Sequence, residues 1–293
     1  MALFTFAGCG GNTEKTSKSE PISETTTEDA TVDTDTEVSE TLQKLRKKGY
    51  ITIAGSGTAP FGFIDAETNE LKGIDLEISM AVAKKLGIKD VKYVTASFDS
   101  LIPELQGGKC DVISSAMYIT EERQEIINFS NVYYTEGEGI LCYEEDGYES
   151  LEDMKGAVCA IQQGSGYIKV AEQYVEQGIF SRIDTYPSID ETVLALRSKK
   201  ANVAMADNVA LAYMNSHEEN QKLGTVLFAP YEMQYAGKIG AGFLKDDPAF
   251  VAEWNTALTE LKEDGTVLEI MKKYGLDESF YVEVGEDVIV NPE

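Results

Sequence analysis

The run Ser97-Phe98-Asp99-Ser100-Leu101-Ile102-Pro103-Glu104-Leu105 passes through Gln106-Gly107-Gly108-Lys109 into Cys110-Asp111-Val112-Ile113-Ser114-Ser115-Ala116-Met117-Tyr118-Ile119-Thr120-Glu121-Glu122-Arg123. Each segment has its own local reading. Asp99 to Gln106 is a short helix stopped by Gly107-Gly108, Cys110 to Ser114 is a strand, and after a turn through Tyr118 Thr120 caps a new helix. Arg123 then falls in that helix's first turn, where the macrodipole disfavours a cation, so an anion is expected beside it. A guanidinium suits bidentate carboxylate recognition, with Ser115 and nearby backbone N–H groups as further donors. On these residues alone a surface glutamate and a ligand carboxylate are equally good partners for Arg123.

Working outward, strand and helix alternate. Tyr50 to Ala54 alternates apolar and polar residues and runs into Gly55-Ser56-Gly57. Asp75 is placed to cap a helix whose Ile78, Ala81, Val82 and Leu86 share one face, and Val91 to Ala96 is the next strand. The pattern restarts at Ala157 to Ile161, which leads into Gln162-Gln163-Gly164-Ser165-Gly166 and a helix from Tyr167. Ser188 and Glu191 form a capping box, Ala201 to Ala206 is a strand, and Asp247-Pro248 opens a helix with Pro at its first position. Phe250, Val251, Trp254, Leu258 and Leu261 line that helix's inner face. Two α/β units follow, each with a mostly parallel sheet flanked by helices, and the cleft between them is the natural ligand site. Tyr133-Tyr134 and Glu136 to Gly139 mark the crossing between lobes, with the return near Tyr235 to Gly240, giving two hinge strands.

Composition narrows the function. The 293 residues carry 25 Lys plus Arg against 51 Asp plus Glu, a formal charge of −26 that excludes nucleic acid as a partner. No stretch approaches the roughly 18 apolar residues of a spanning helix. One histidine, His217 in a polar run, speaks against a Ser-His-Asp triad, and four cysteines without C-x-x-C spacing exclude a zinc ribbon. No catalytic residue, metal site or cofactor is read from the chain. Cys142 and Cys159 pair only if their strands are neighbours; buried free thiols are the other reading. Glu144-Glu145-Asp146 and Glu283 to Asp287 read as solvated charge.

The N-terminus has two parts. Residues 12–40 hold twelve Ser or Thr, nine acids, two lysines and no aromatic residue, too little apolar surface to order the segment. Ahead of it, Phe6-Ala7-Gly8-Cys9 resembles a bacterial lipobox, although the basic region and long apolar core of a full signal peptide are missing. Lipidation of Cys9 and a stray buried cysteine are the two readings; a polar tether immediately after it favours lipidation.

The run from Ser97 to Arg123, with Ala59-Pro60-Phe61-Gly62 and Gly73-Ile74-Asp75 upstream and Lys272-Lys273-Tyr274-Gly275 near the end, resembles the family 3 bacterial solute-binding proteins, amino-acid receptors of ABC importers. The resemblance covers roughly residues 44–280. It implies a two-lobed type II periplasmic-binding-protein fold, with residues 41–136 and 237–293 as lobe 1 and 137–236 as lobe 2. Ahead of these stand a signal remnant at 1–9 and a tether at 10–40. It also implies roles: Arg123 grips a ligand α-carboxylate with Ser115 and Ala116 beside it, and Phe98 packs on the ligand. Ser165 and Gly166 add donors from the second lobe, and Asp207 receives the α-amino group. Tyr118 departs from the Thr or Ser of many members. It either builds an aromatic box with Phe98, as in ectoine-binding members, or fills the core. The loop Gly55-Ser56-Gly57-Thr58 lacks the acid of lysine- and arginine-binding members, which weighs against a strongly basic ligand side chain.

The expected function is therefore capture of an amino acid or similar zwitterion by a monomeric, lipid-anchored protein outside the cytoplasm, for delivery to the permease subunits of an ABC importer. An enzyme on the same scaffold, resembling cyclohexadienyl dehydratase, and a ligand-sensing module are the alternatives.

Overall fold

The computed structural model describes residues 38–216, 226–228 and 236–292; Cys9, the tether up to residue 37 and His217 lie outside them. The tether expected to reach residue 40 gives way sooner. Ser39 is buried, accepts a hydrogen bond from Leu42 N and donates to the Glu253 carboxylate, capping helix α1 (Glu40–Lys48). Leu42 and Leu45, one turn apart, then enter the core.

The chain continues through β1 (Tyr50–Gly55), a hairpin of β2 (Phe63–Ile64) and β3 (Leu71–Lys72), α2 (Ile74–Lys85), β4 (Asp90–Thr95) and α3 (Leu101–Gln106). Next come β5 (Val112–Ile113), α4 (Glu121–Gln124) and β6 (Ile127–Phe129). Strand β7 (Tyr134–Tyr143) leads into the second lobe, built from β8 (Ala157–Gln162), α5 (Ile168–Glu176), β9 (Phe180–Tyr186), α6 (Ile189–Arg197), β10 (Val203–Asp207), α7 (Asn208–Ser216) and β11 (Val226–Phe228). Strand β12 (Ala236–Ile239) returns antiparallel to β7, and β13 (Gly242–Leu244), α8 (Pro248–Glu263) and α9 (Thr266–Lys273) follow.

The sheets are mixed rather than mostly parallel. The first has the order β4-β1-β5-β13-β6, and the second β11-β7-β10-β8-β9. In the first, β4, β1 and β5 run parallel, joined by helical crossovers, while β13 lies antiparallel to β5 and β6. In the second, β9, β8 and β10 are parallel and β7 is antiparallel to β10. The antiparallel members are the strands that cross between lobes or follow the return directly, without the helix that a parallel connection needs.

Local signals set several element ends. Ser188 Oγ accepts from Glu191 N at 3.1 Å, and Asp247 Oδ1 from Phe250 N at 3.2 Å. Phe250, Val251, Trp254, Leu258 and Leu261 are buried, as their helical spacing predicts. Trp254 Nε1 donates to Tyr133 Oη at 3.1 Å, which lies 3.2 Å from Ser79 Oγ, itself 2.8 Å from Ser114 Oγ. That buried polar chain ties α8 to the end of β5. The cysteines are settled by topology. Val203 of β10 faces both Cys142 and Cys159, so two strand spacings, about 9.6 Å, separate thiols that a disulfide needs within about 7 Å at Cα. Cys110, Cys142 and Cys159 are free and buried.

One acidic run departs from its reading as solvated charge. Asp287 is buried, and its Oδ2 lies 2.9 Å from Lys262 Nζ, with side-chain exposures of 1% and 0%. The segment carrying it straps the first lobe: Val132 N donates to Asp287 O, and Asn291 exchanges two hydrogen bonds with Phe129. Removing one partner leaves an uncompensated buried charge. Asp287→Ala is expected to lower stability by about 3–5 kcal/mol, and replacing both partners with apolar residues to recover most of the loss. Equilibrium urea unfolding of the two variants measures this.

Candidate functional site

The first-lobe side of the site grows from the end of β5. Ser115 Oγ accepts from Ser56 N at 2.9 Å and lies 3.0 Å from Ser56 Oγ, which pins it to the loop after β1. Ala116 adopts a left-handed backbone, φ 46°, and gives its N–H to Asp75 Oδ1 at 3.0 Å. The Tyr118 ring is buried against Gly237, where a Cβ would come within 1.7 Å of it; only glycine fits this close approach.

Arg123 lies within a single helical turn, so the macrodipole argument for an anion lapses. Its guanidinium is oriented in another way. Nη1 donates to Tyr118 O at 2.7 Å, Nη2 reaches Gly164 O of the second lobe at 2.9 Å, and the guanidinium carbon sits 5.4 Å from the Phe98 ring centre. A cation with its planar fork braced at the cleft edge is suited to a carboxylate.

The second-lobe wall is the turn after β8 and the end of β10. Gly164, Ser165 and Gly166 face Thr120 and Arg123 across a surface hollow. Ser165 Oγ is buried without a hydrogen-bond partner. Tyr167, at the start of α5, donates from Oη to Asp207 Oδ2 at 3.0 Å, and its ring meets Tyr118 edge-on with centres 6.2 Å apart. Lys169 pairs with Glu122 across the cleft mouth at 2.5 Å, an exposed contact of small energetic weight.

Between the walls lies a buried acidic group. Asp75, the second residue of α2 rather than its cap (Gly73 holds that place), is fully buried and accepts from Ala116 N and from Tyr134 Oη at 2.8 Å. Glu136 and Glu138 project from the same face of β7 as Tyr134, and Asp207 pairs with Glu138 across the ladder. Burial pushes the Asp75 carboxyl up to about 7, against the hydrogen bonds from Tyr134 and Ala116 that favour its charge. Burial also raises Asp207, with the Tyr167 hydrogen bond and the Arg123 charge opposing. Glu136 is raised well above the carboxylate range by burial and then by the neighbouring Asp207 and Asp75 charges. Among the described residues no three His, Cys, Asp or Glu side chains are arranged to hold a metal ion.

Phe98, Tyr118, Arg123, Ser165, Gly166 and Asp207 thus converge on one cleft. Ser115 and Ala116 stand behind it, bonded to Ser56 and Asp75. The sequence reading missed Asp75 and Glu136 as site residues. The available signal was two acids within the otherwise apolar and glycine-rich Tyr134–Tyr143 strand, an uncommon place for charge.

Comparison with known proteins gives the same picture. The family model for bacterial extracellular solute-binding proteins, family 3, matches residues 51–277. The arginine-binding extracellular protein ArtP of Bacillus subtilis is 28% identical over 229 residues, 78% of this chain and 86% of that protein. The ABC transporter glutamine-binding protein GlnH of the same organism is 27% identical over 242 residues, covering 80% and 84% of the two chains. Among solved structures, an ancestral arginine-binding protein bound to arginine superposes with a TM-score of 0.69 at 31% identity, over 78% of this chain and 99% of that one.

The raised Asp75 carboxyl has a pH consequence. The folded state holds its proton more tightly than the unfolded chain, so its contribution to stability is complete below about pH 4 and is lost as pH rises through about 7. From pH 5 to pH 8 the wild type is expected to lose on the order of 2 kcal/mol through this group, and Asp75→Asn to flatten that slope. Urea unfolding at both pH values tests it; an equal slope in the variant contradicts it.

Proposed function

The chain belongs to the bacterial extracellular solute-binding proteins, family 3, and on that premise we propose that it captures an amino acid or amino-acid-like zwitterion between its lobes and presents it to the permease of an ABC importer. The observation that supports this reading is a guanidinium from the first lobe and a carboxyl from the second, Arg123 and Asp207, in one cleft and close enough to influence each other's charge. An α-carboxylate replaces the Gly164 carbonyl on the guanidinium, and an α-ammonium takes Asp207. Each charged group of the ligand then bridges to a different lobe. Binding and closure become one event, because the ligand's charges are neutralised only when both walls are present. The β7–β12 pair is the joint for that motion.

The rest of the proposal follows the chain's organisation. Phe98 offers a ring face to the ligand, and Ser165 an unpartnered hydroxyl. The protein works by holding its ligand rather than converting it. It acts outside the cytoplasm as a monomer, tethered through a lipid on Cys9 by the Ser/Thr/Glu-rich segment that follows.

A thermal-shift screen of the proteinogenic amino acids, betaines, ectoine and polyamines identifies the ligand. With that ligand, Arg123→Ala and Asp207→Asn are each expected to weaken binding by about ten- to a hundredfold or more, while the urea midpoint measured without ligand stays close to wild type. Titration calorimetry that finds both affinities unchanged refutes the assignment.

A further inference from the structure

The charges of the cleft do not balance for a net-neutral ligand. On the reading above, a ligand carboxylate answers Arg123 and a ligand α-ammonium answers Asp207. Asp75 is already answered by Ala116 N and Tyr134 Oη. Glu136 has no such partner: the residue is 2% exposed, and both of its carboxyl oxygens are buried without a hydrogen bond. A polar group in that position is costly unless something binds it. Its surroundings identify what that is. Asp207 and Asp75 add negative potential around it, and Tyr118, Tyr134 and Tyr167 lie close enough to feel its charge. The rings of Tyr118 and Tyr167 stand edge to face, one from each lobe. Buried carboxyls walled by tyrosine rings are the environment that holds an organic cation.

We propose that Glu136, with Asp207 beside it and the rings of Tyr118 and Tyr167 as walls, is the specificity group for a second positive charge, so that the ligand is an amino acid with an ammonium or guanidinium side chain. This inference rests on the amino-acid reading of the cleft. The acid missing from the Gly55–Thr58 loop is supplied here by the hinge strand, so a basic side chain is held at the joint between the lobes. Cleft closure is then coupled to side-chain charge as well as to the α-groups, because Glu136 lies on β7 and pairs through its backbone with Gly237 of β12.

The test compares near-isosteric probes that differ in charge. Titration calorimetry of the wild-type chain with L-arginine, L-citrulline, L-ornithine and L-glutamine, alongside the remaining proteinogenic amino acids, is expected to show at least about tenfold tighter binding of L-arginine than of L-citrulline, or of L-ornithine than of L-glutamine. In Glu136→Gln that preference is expected to shrink to within about threefold. Wild-type binding of a neutral amino acid as tightly as the cationic probes overturns the charge inference and leaves amino-acid capture standing. Binding of no amino acid removes both. A preference that survives in Glu136→Gln overturns the role given to Glu136, and if that variant does not fold, the wild-type comparison alone decides for or against the second charge.

Discussion

The antiparallel ladder between β7 and β12 is the constraint on which the rest of the molecule depends. Strand β7 pairs with β12 at the joint and with β10 and β11 in the second lobe, so one ten-residue strand is both hinge and structural wall. Its alternation puts Tyr134, Glu136 and Glu138 on one face, toward the cleft. Opposite, Gly237 leaves room for the Tyr118 ring, which a side chain there would displace. The hinge and the binding site are therefore one object. A change in what Glu136 or Tyr118 touches is also a change in the angle at which the lobes are stable.

Polar groups buried around this joint set its energetics. The hydroxyl chain from Trp254 through Tyr133 and Ser79 to Ser114 is satisfied link by link, and Ser114 Oγ ends on Asp75 O. Such a network fixes one geometry for the end of β5. The carboxyls beside it are different in kind. They are held at raised proton affinity by burial, and Arg123 is the cation that acts on Asp207. The formal charge of −26 therefore excludes polyanionic partners without describing the ligand, whose chemistry is set by four or five buried groups.

The elements with local causes were legible in the sequence. Ser188 and Glu191 announced a helix start, Asp247-Pro248 another, and helical spacing picked out the buried face of α8. Arg123, Phe98 and Asp207 were legible through resemblance, since no local rule assigns them a shared cleft. What escaped was set by distant partners. Asp75 reads as a helix cap until Ala116, 41 residues on, and Tyr134, 59 residues on, turn toward it. Asp287 reads as surface charge until the C-terminal segment lays it on Lys262. Glu136 reads as a hinge residue because a charge in a strand is ordinarily solvated; two lobes meeting over it make it buried. The fate of Cys142 and Cys159 likewise depended on strand order, which β10 decides by lying between them.

The central claim is that Arg123 and Asp207 take the two ends of a zwitterion from opposite lobes. A crystal structure of the chain grown with the amino acid that gives the largest thermal shift tests it most directly. The account predicts the ligand carboxylate within hydrogen-bond reach of the Arg123 guanidinium, the Gly164 carbonyl released from it, and the α-ammonium on Asp207. A ligand bound outside the cleft, or inside it with Arg123 still on Gly164 and no ammonium at Asp207, contradicts the account.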